Sequence, residues 1–228
     1  MSLENRTVLV IGRASGIAHA VTLAARATGA KVVLAGRNPA SYDEPAETVD
    51  LTDEASVAAL AERVRPDHVV STASARARGT VGDLSPETVL TSFSTKVIGP
   101  MLLAKHFAGR MPADGSFVFF SGASALRPTV GMLAVAATNG AVDVLVKGLA
   151  LELAPIRVNA ISPGTINTGA YDALGTQGKA ALFARRSEVN PVHRIGTAED
   201  VAHAVLFALT NTFLTGVSLP VDGGESVT

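Results

Sequence analysis

The sequence predicts an α/β fold with a doubly wound parallel sheet and helices on both faces. Apolar runs without alternation, such as residues 8–11, are typical of strands buried on both faces of a parallel sheet. Ala-rich helical segments alternate with these runs, which predicts right-handed βαβ crossovers. The chain has 228 residues, 47% of them hydrophobic, and no composition break, so we expect one domain over residues 1–228.

The first strand, helix and second strand form the best-defined unit. Four apolar residues run directly into Gly12, and Gly16 lies where a helix over residues 17–28 begins. A second strand is predicted at residues 31–35. Unsatisfied N–H groups at a helix N-terminus bind phosphate, so this unit predicts a Rossmann-like dinucleotide site. The alternative is that these small residues only pack a strand against a helix.

Arg37 follows the second predicted strand, where the adenosine ribose of a dinucleotide would lie. An acidic residue there would bond a 2'-hydroxyl, whereas a guanidinium suits a 2'-phosphate. Arg37 therefore favours NADP(H) over NAD(H), with Arg13 as a second cation. The alternative is that Arg37 is an ordinary solvated charge.

The later elements follow the same alternation. Residues 38–47 contain two prolines, so no normal crossover helix is expected there. Further strands are predicted at residues 48–51, 68–72, 116–120, 156–161 and 216–221. Further helices are predicted at residues 53–65, 86–110 and 130–153 and after a Thr197 cap, with residues 169–196 as a loop.

Composition excludes several classes of function. The net charge is −1, from 19 basic and 20 acidic residues, so neither nucleic acid nor a membrane surface is an expected partner. The chain has no cysteine and its five histidines are scattered, so no metal site is expected. Glu4 and Arg6 precede the first apolar run, and residues 130–154 contain charged residues, so we expect a cytoplasmic protein that binds a small molecule.

Motifs along the whole chain resemble those of the short-chain dehydrogenase/reductase family. They occur in family order and at family spacing: Gly12, Gly16, Ile17 and Ala18; Asp50 and Leu51; Ala73; Arg157 to Asn159; Pro163, Gly164, Ile166 and Thr168; Arg194, Gly196 and Glu199 to Ala202; Thr215 and Gly216; and Asp222 to Gly224. One such motif is weak, but their shared order is specific.

The resemblance implies a site for NADP(H). Asp50 and Leu51 would flank the adenine, Thr72 and Ala73 would line the ribose side, and residues 163–168 would hold the nicotinamide carboxamide. The predicted cofactor-binding residues are Gly12, Arg13, Ser15, Gly16, Ile17, Arg37, Asp50, Leu51, Thr72, Ala73, Pro163, Gly164, Ile166 and Thr168.

The chain departs from the family at the catalytic relay of Asn, Ser, Tyr and Lys. Val135 stands at the Tyr position and Asn139 at the Lys position, and neither can supply the proton or the charge. Lys96 takes the Asn position, where it is either an active-site cation or an ordinary surface lysine, and the Ser position falls between Ser121 and Gly122.

Two classes of function therefore remain. The first is an oxidoreductase acting on a small carbonyl or alcohol, with Lys96 and Ser121 as candidate catalytic residues and Ser124 or Tyr171 as further candidates. The second is an inactive NADP(H)-binding sensor or the partner subunit of a hetero-oligomer. Helices 86–110 and 130–153 resemble the family's assembly helices, which predicts a homodimer or homotetramer. Burial against the chain's own sheet would give the same composition.

Overall fold

A computed structural model, which describes residues 2–228, has a single seven-stranded sheet, and every strand pair in it is parallel. The strand order is β3-β2-β1-β4-β5-β6-β7. The strands are β1 (Thr7–Ile11), β2 (Lys31–Gly36), β3 (Ala46–Thr48), β4 (His68–Ser71), β5 (Ser116–Phe120), β6 (Arg157–Pro163) and β7 (Ser218–Val221). The predicted fold class is confirmed.

Helices connect the strands along the chain. They are α1 (Ile17–Ala27), α2 (Glu54–Arg63), α3 (Pro86–Phe93), α4 (Gly99–Phe107), α5 (Leu133–Glu152), α6 (Gly175–Val189) and α7 (Ala198–Thr210). A π-helical turn at Ser94–Ile98 joins α3 to α4. The Thr197 side chain accepts from the N–H of Asp200, as predicted for the cap of α7, and the Asp200 carboxylate accepts from the N–H of Thr197, which completes a capping box.

The two faces of the sheet carry two apolar clusters because successive strand residues point to opposite sides. On β1, Leu9 and Ile11 pack in the cluster that includes Leu103 of α4 and Val142 of α5. Val8 and Val10 face the other way, into the cluster formed with α1 and α7. Each fully buried aliphatic side chain of this kind contributes about 1.5–3 kcal/mol. Helices thus cover both faces, as predicted.

The strand order reverses between β1 and β4, which run side by side. β1 leads on to β2 on one side, and β4 leads on to β5 on the other. In such sheets the loops after the two central strands separate and leave a crevice at the carboxyl edge. Gly12 and Thr72, the residues that follow β1 and β4, therefore lie where a ligand site is expected.

The structure corrects several predicted boundaries. β3 spans Ala46–Thr48, so residues 49–51 follow it, and α5 begins at Leu133, three residues later than predicted. The helix predicted at residues 86–110 is interrupted by the π-helical turn and ends in a 3-10 turn at Ala108–Arg110.

The largest correction concerns residues 169–196, which were predicted as a loop. They contain the 15-residue helix α6, and none of its residues is buried. Without a buried face the segment has no apolar stripe, which is the main sequence signal for a helix.

Among the described residues, α5 is the one helix long and apolar enough to cross a membrane by length and composition. Its Val142 and Val146 lie fully buried in the core against the sheet. That packing is typical of the core helix of a globular domain. The cytoplasmic location stays a prediction.

Candidate active site

A cavity of about 850 Å³ lies at the carboxyl edge of the sheet. All sixteen residues predicted for cofactor binding or catalysis line it, from Gly12 after β1 to Thr168 after β6. We call the part around Gly12, Gly16, Arg37, Asp50 and Thr72 the nucleotide end. We call the part around Arg76, Lys96, Ser124, Val135 and Asn139 the reaction end.

The nucleotide end depends on the absence of side chains. A Cβ at Gly12 would clash with the Oγ1 of Thr72. Gly16 has a φ of 63°, which favours glycine, and it caps α1 without a side-chain hydrogen bond to the first-turn N–H groups. These N–H groups and the positive end of the helix dipole suit the pyrophosphate of a dinucleotide. The chain therefore fits the cofactor at this point.

Tyr42 holds the glycine turn in place, and sequence reasoning did not identify it. Its hydroxyl lies within hydrogen-bond distance of the carbonyl oxygens of Gly12 and Ala35 and donates to one of them. A Cβ at Gly36 would lie 2.6 Å from that hydroxyl, so this glycine leaves room for the tyrosine. Burial raises the pKa of Tyr42, so the phenol stays protonated.

Two cations stand at the outer rim of the nucleotide end. Arg13 and Arg37 are exposed, and within residues 2–228 neither forms a side-chain hydrogen bond or an ion pair. Asp50 lies close enough to Arg37 for that charge to contribute to its lowered pKa, although hydrogen bonds from Thr52 contribute more. Both guanidinium groups remain available to a phosphate.

Lys96 lies at the reaction end, within the π-helical turn between α3 and α4, and is 8% exposed. Its Nζ donates to the side-chain oxygen of Asn139 and, at 3.1 Å, to the backbone carbonyl of Ser121. An ammonium group has three protons, so one remains for a ligand in the cavity. Lys96 is therefore a buried lysine and not a surface lysine.

Asn139 connects the groups around Lys96. Its Nδ2 donates to the Ser124 hydroxyl at 2.7 Å, while its backbone carbonyl accepts from the Ser121 hydroxyl at 3.1 Å. Ser121 is 5% exposed and its proton is engaged with α5. The Ser124 oxygen accepts this hydrogen bond, and its own hydroxyl has no acceptor among the described residues, so it can donate to a ligand in the cavity.

The electrostatics of this end are unusual. Desolvation lowers the pKa of Lys96 to about 7, the nearby charge of Arg76 lowers it as well, and the Asp143 carboxylate opposes the shift. Near neutral pH the lysine therefore exists in both protonation states. A group with a pKa close to the working pH is suited to general acid–base chemistry.

Two further candidates stand on the walls of the reaction end. Val135 is 5% exposed and lines the cavity with an apolar side chain. Tyr171 also lines it, with its ring edge-on to Phe183 at 5.5 Å between centroids. The structure thus brings Tyr171 to the cavity but gives it no hydrogen bond to Lys96 or Asn139.

A family model described as "Enoyl-(Acyl carrier protein) reductase" matches residues 12–226. The chain belongs to the short-chain dehydrogenase/reductase family. The short-chain dehydrogenase/reductase ucsE of Acremonium sp is 31% identical over 99% of this chain and 97% of its own. An L-xylulose reductase of Mesocricetus auratus is 32% identical over 100% of this chain and 99% of its own.

Solved short-chain dehydrogenases share the fold closely. One, described as a small-chain dehydrogenase in complex with NADPH, has a TM-score of 0.91 and 33% identity, covering 99% of this chain and 100% of its own. The chain thus belongs to a family of oxidoreductases that bind a nicotinamide cofactor. The resemblance drawn from the sequence motifs is confirmed.

Proposed function

We propose that the protein is an NADP(H)-dependent oxidoreductase that interconverts a small carbonyl compound and its alcohol, with Lys96 transferring the proton. The observation that carries this proposal is the buried Lys96 ammonium, which has neutral hydrogen-bond partners and one remaining proton at the cavity. By the family resemblance, lysine and asparagine have exchanged positions, since Lys96 takes the Asn position and Asn139 the Lys position. The hydrogen bond between them keeps the pair together.

The preference for NADP(H) is supported by Arg37 and Arg13. Both lack partners among the described residues, and a guanidinium matches a phosphate with two parallel hydrogen bonds. When bound, the nicotinamide supplies or accepts hydride at the substrate carbon. Ile166 and Thr168 line the cavity where the resemblance assigns the carboxamide, and Thr168 lies 3.4 Å from a Cβ built at Gly16.

The groups around Lys96 define a path for the proton that accompanies hydride transfer. In reduction, the Lys96 ammonium donates to the substrate oxygen and becomes a neutral amine, which solvent reprotonates. The Ser124 hydroxyl donates a hydrogen bond to the same oxygen, while Ser121 keeps the Lys96 turn joined to α5. In oxidation, the neutral amine accepts the alcohol proton. Val135 gives the substrate an apolar wall in place of a tyrosine.

The test is the pH profile of kcat/KM with NADPH over a panel of aldehydes and ketones, and with NADP+ over the matching alcohols. Reduction needs protonated Lys96, so its rate falls as pH rises through about 7; oxidation needs the amine, so its rate rises there. Lys96→Met lowers kcat by about 10²–10⁴-fold. Lys31→Met removes an exposed lysine on β2, away from the cavity, and serves as the control. Unchanged turnover in Lys96→Met would exclude this relay.

The second candidate is an NADP(H)-binding protein without turnover, acting as a sensor or as a subunit beside an active sister chain. A relative of Xanthobacter autotrophicus described as "Inactive 2-(S)-hydroxypropyl-CoM dehydrogenase 2" supports it, with 33% identity over 88% of this chain and 97% of its own. It predicts that NADPH binds, that no substrate of the panel reacts, and that Lys96→Met leaves NADPH affinity unchanged.

We also propose that the chain assembles as a homodimer or homotetramer through residues 86–110 and 130–153. Large apolar side chains are exposed on these helices: Leu90, Ile98, Met101, Leu133, Val144 and Leu151. Exposed apolar area of this kind is typical of interfaces between subunits. Light scattering after gel filtration measures the mass, and a monomer at micromolar concentration would contradict the proposal.

A further inference from the structure

The cavity carries more positive charge than its cofactor end requires. Two carboxylates line it, those of Asp50 and Glu225. Seven basic residues line it: Arg13, Arg37, Arg76, Arg78, Lys96, Arg127 and Arg186. Arg13 and Arg37 stand at the nucleotide end, which leaves five cations for the rest of the cavity.

Two of these five cations are already engaged by the protein. Arg186 pairs with the Glu225 carboxylate at 3.0 Å, and Glu225 also accepts from the N–H of Thr165 at 2.7 Å. Arg127 donates to the Thr228 hydroxyl at 2.7 Å and contacts the carbonyl of Glu225. These contacts hold the C-terminal turn against the cavity and need no ligand.

Arg76 and Arg78 differ from these two engaged arginines, because in the part of the chain that the structure describes neither has a side-chain hydrogen bond or an ion pair. Their loop is nevertheless fixed. The Ser92 hydroxyl donates to the carbonyl of Ala75 at 2.7 Å, and the N–H of Gly79 donates to the carbonyl of Gly131 at 2.9 Å. Ala77, between the two arginines, is 3% exposed. The buried alanine anchors the loop while both flanking arginines line the cavity.

Arg76 lines the same cavity as Lys96, and its charge lowers the pKa of Lys96. The Arg76 side chain is exposed at the cavity wall, yet desolvation lowers its own pKa, and the nearby charge of Arg78 lowers it further. Among the described residues, the direct partners of Lys96 are the side chain of Asn139 and a backbone carbonyl, and both are neutral. The positive charges of Lys96 and Arg76 therefore repel each other without a nearby anion bonded to either. A bound anion would relieve that repulsion.

We propose that the substrate is an oxo acid, whose carboxylate binds the guanidinium of Arg76, with Arg78 beside it, while its carbonyl oxygen lies at Lys96. A guanidinium binds a carboxylate through two parallel, charge-assisted hydrogen bonds, which fix its position and orientation. The inference rests on the proposed oxidoreductase function and names its substrate class. The phosphates of the cofactor are the competing anion, but Arg13, Arg37 and the N-terminus of α1 already serve them at the nucleotide end.

The experiment is a calorimetric titration of the NADP+-loaded protein with three oxo acids and their methyl esters: pyruvate, acetoacetate and levulinate. Each ester keeps the carbonyl and removes the charge. At least one acid binds about tenfold or more tightly than its ester in the natural protein, as expected for one charge-assisted pair. Arg76→Met abolishes this difference and leaves NADP+ affinity unchanged. Arg185→Met is the matched control, because Arg185 is exposed on α6 and does not line the cavity.

Every outcome bears on the inference. Equal affinity for acids and esters, absence of binding by any acid, or an acid preference that survives in Arg76→Met would overturn it. Loss of NADP+ affinity in Arg76→Met would assign this arginine to the cofactor instead. Because the readout is binding, acid preference without turnover supports the inference while refuting the proposed function. Turnover without acid preference would support the proposed function and refute the inference.

Discussion

The nucleotide end and the reaction end of the cavity are built from different kinds of groups. At the nucleotide end, Gly12 and Gly16 offer backbone and empty space, and Tyr42 supports the turn from behind. At the reaction end, the proposed function depends on the side chains of Lys96 and Asn139, which are hydrogen-bonded to each other. A backbone site depends on shape and space, and here the chain carries the glycines that the family resemblance expects. A side-chain site can change its chemistry by a few substitutions, and the motif resemblance places the expected departures from the family relay at this end.

The sharpest test of this contrast is to move the lysine charge from position 96 to position 139. Asn139→Lys alone would bury a second ammonium beside Lys96 and cost about 3–5 kcal/mol of the free energy of unfolding, as other uncompensated buried charges do. The double variant Lys96→Asn with Asn139→Lys restores one cation and one amide, so it should recover most of that loss. Denaturant unfolding at pH 7 measures both. If the double variant is no more stable than Asn139→Lys, the two residues do not form an exchanged pair.

A smaller effect is expected at the rim of the nucleotide end. Arg37→Met removes a charge-assisted contact to a 2'-phosphate, so NADPH affinity should fall about tenfold or more while NADH affinity stays unchanged. Calorimetry with both nucleotides measures this, with Arg63→Met as a control, since Arg63 pairs with Glu47 outside the cavity. Equal loss for both nucleotides would mean that Arg37 does not distinguish them.

The smallest expected effect concerns the support of the glycine turn. Tyr42→Phe keeps the ring and removes the hydroxyl that contacts the carbonyls of Gly12 and Ala35. The loss of one such hydrogen bond costs about 1 kcal/mol. We expect roughly fivefold weaker binding of NADPH and NADH alike. Tyr171→Phe is the comparison variant, since it alters a hydroxyl at the reaction end. Unchanged affinity in Tyr42→Phe would show that the turn is rigid without it.

Sequence patterns were enough to predict the strand–turn–helix unit at Gly12, because its apolar run, its glycines and its helix all lie within a short segment. The same patterns missed α6, whose residues have no buried face. They also missed Tyr42, which reaches Gly12 across 30 residues of chain. Such a contact depends on the folded arrangement of β1 and β2 and leaves no local signal.

The reaction end shows a different limit. The sequence marked Lys96 and Asn139 as substitutions of the family relay, yet it did not decide whether Lys96 is buried in the site or exposed on the surface. Only the packing of the π-helical turn against α5 decides that Lys96 is buried and bonded to Asn139. Likewise, Arg76 and Arg78 look like ordinary loop arginines until the fixed loop brings them to the cavity.

The uneven distribution of charge has a consequence for the speed of binding. Seven basic and two acidic residues line the cavity, whereas the whole chain has 19 and 20, which leaves twelve basic and eighteen acidic residues elsewhere. The molecule is therefore nearly neutral but strongly polarised, with its positive field concentrated in a concave region. Such a field draws anions to the opening and repels them from other surfaces. Encounter rates with nucleotides and acidic metabolites should therefore be high in dilute buffer and fall steeply as ionic strength rises.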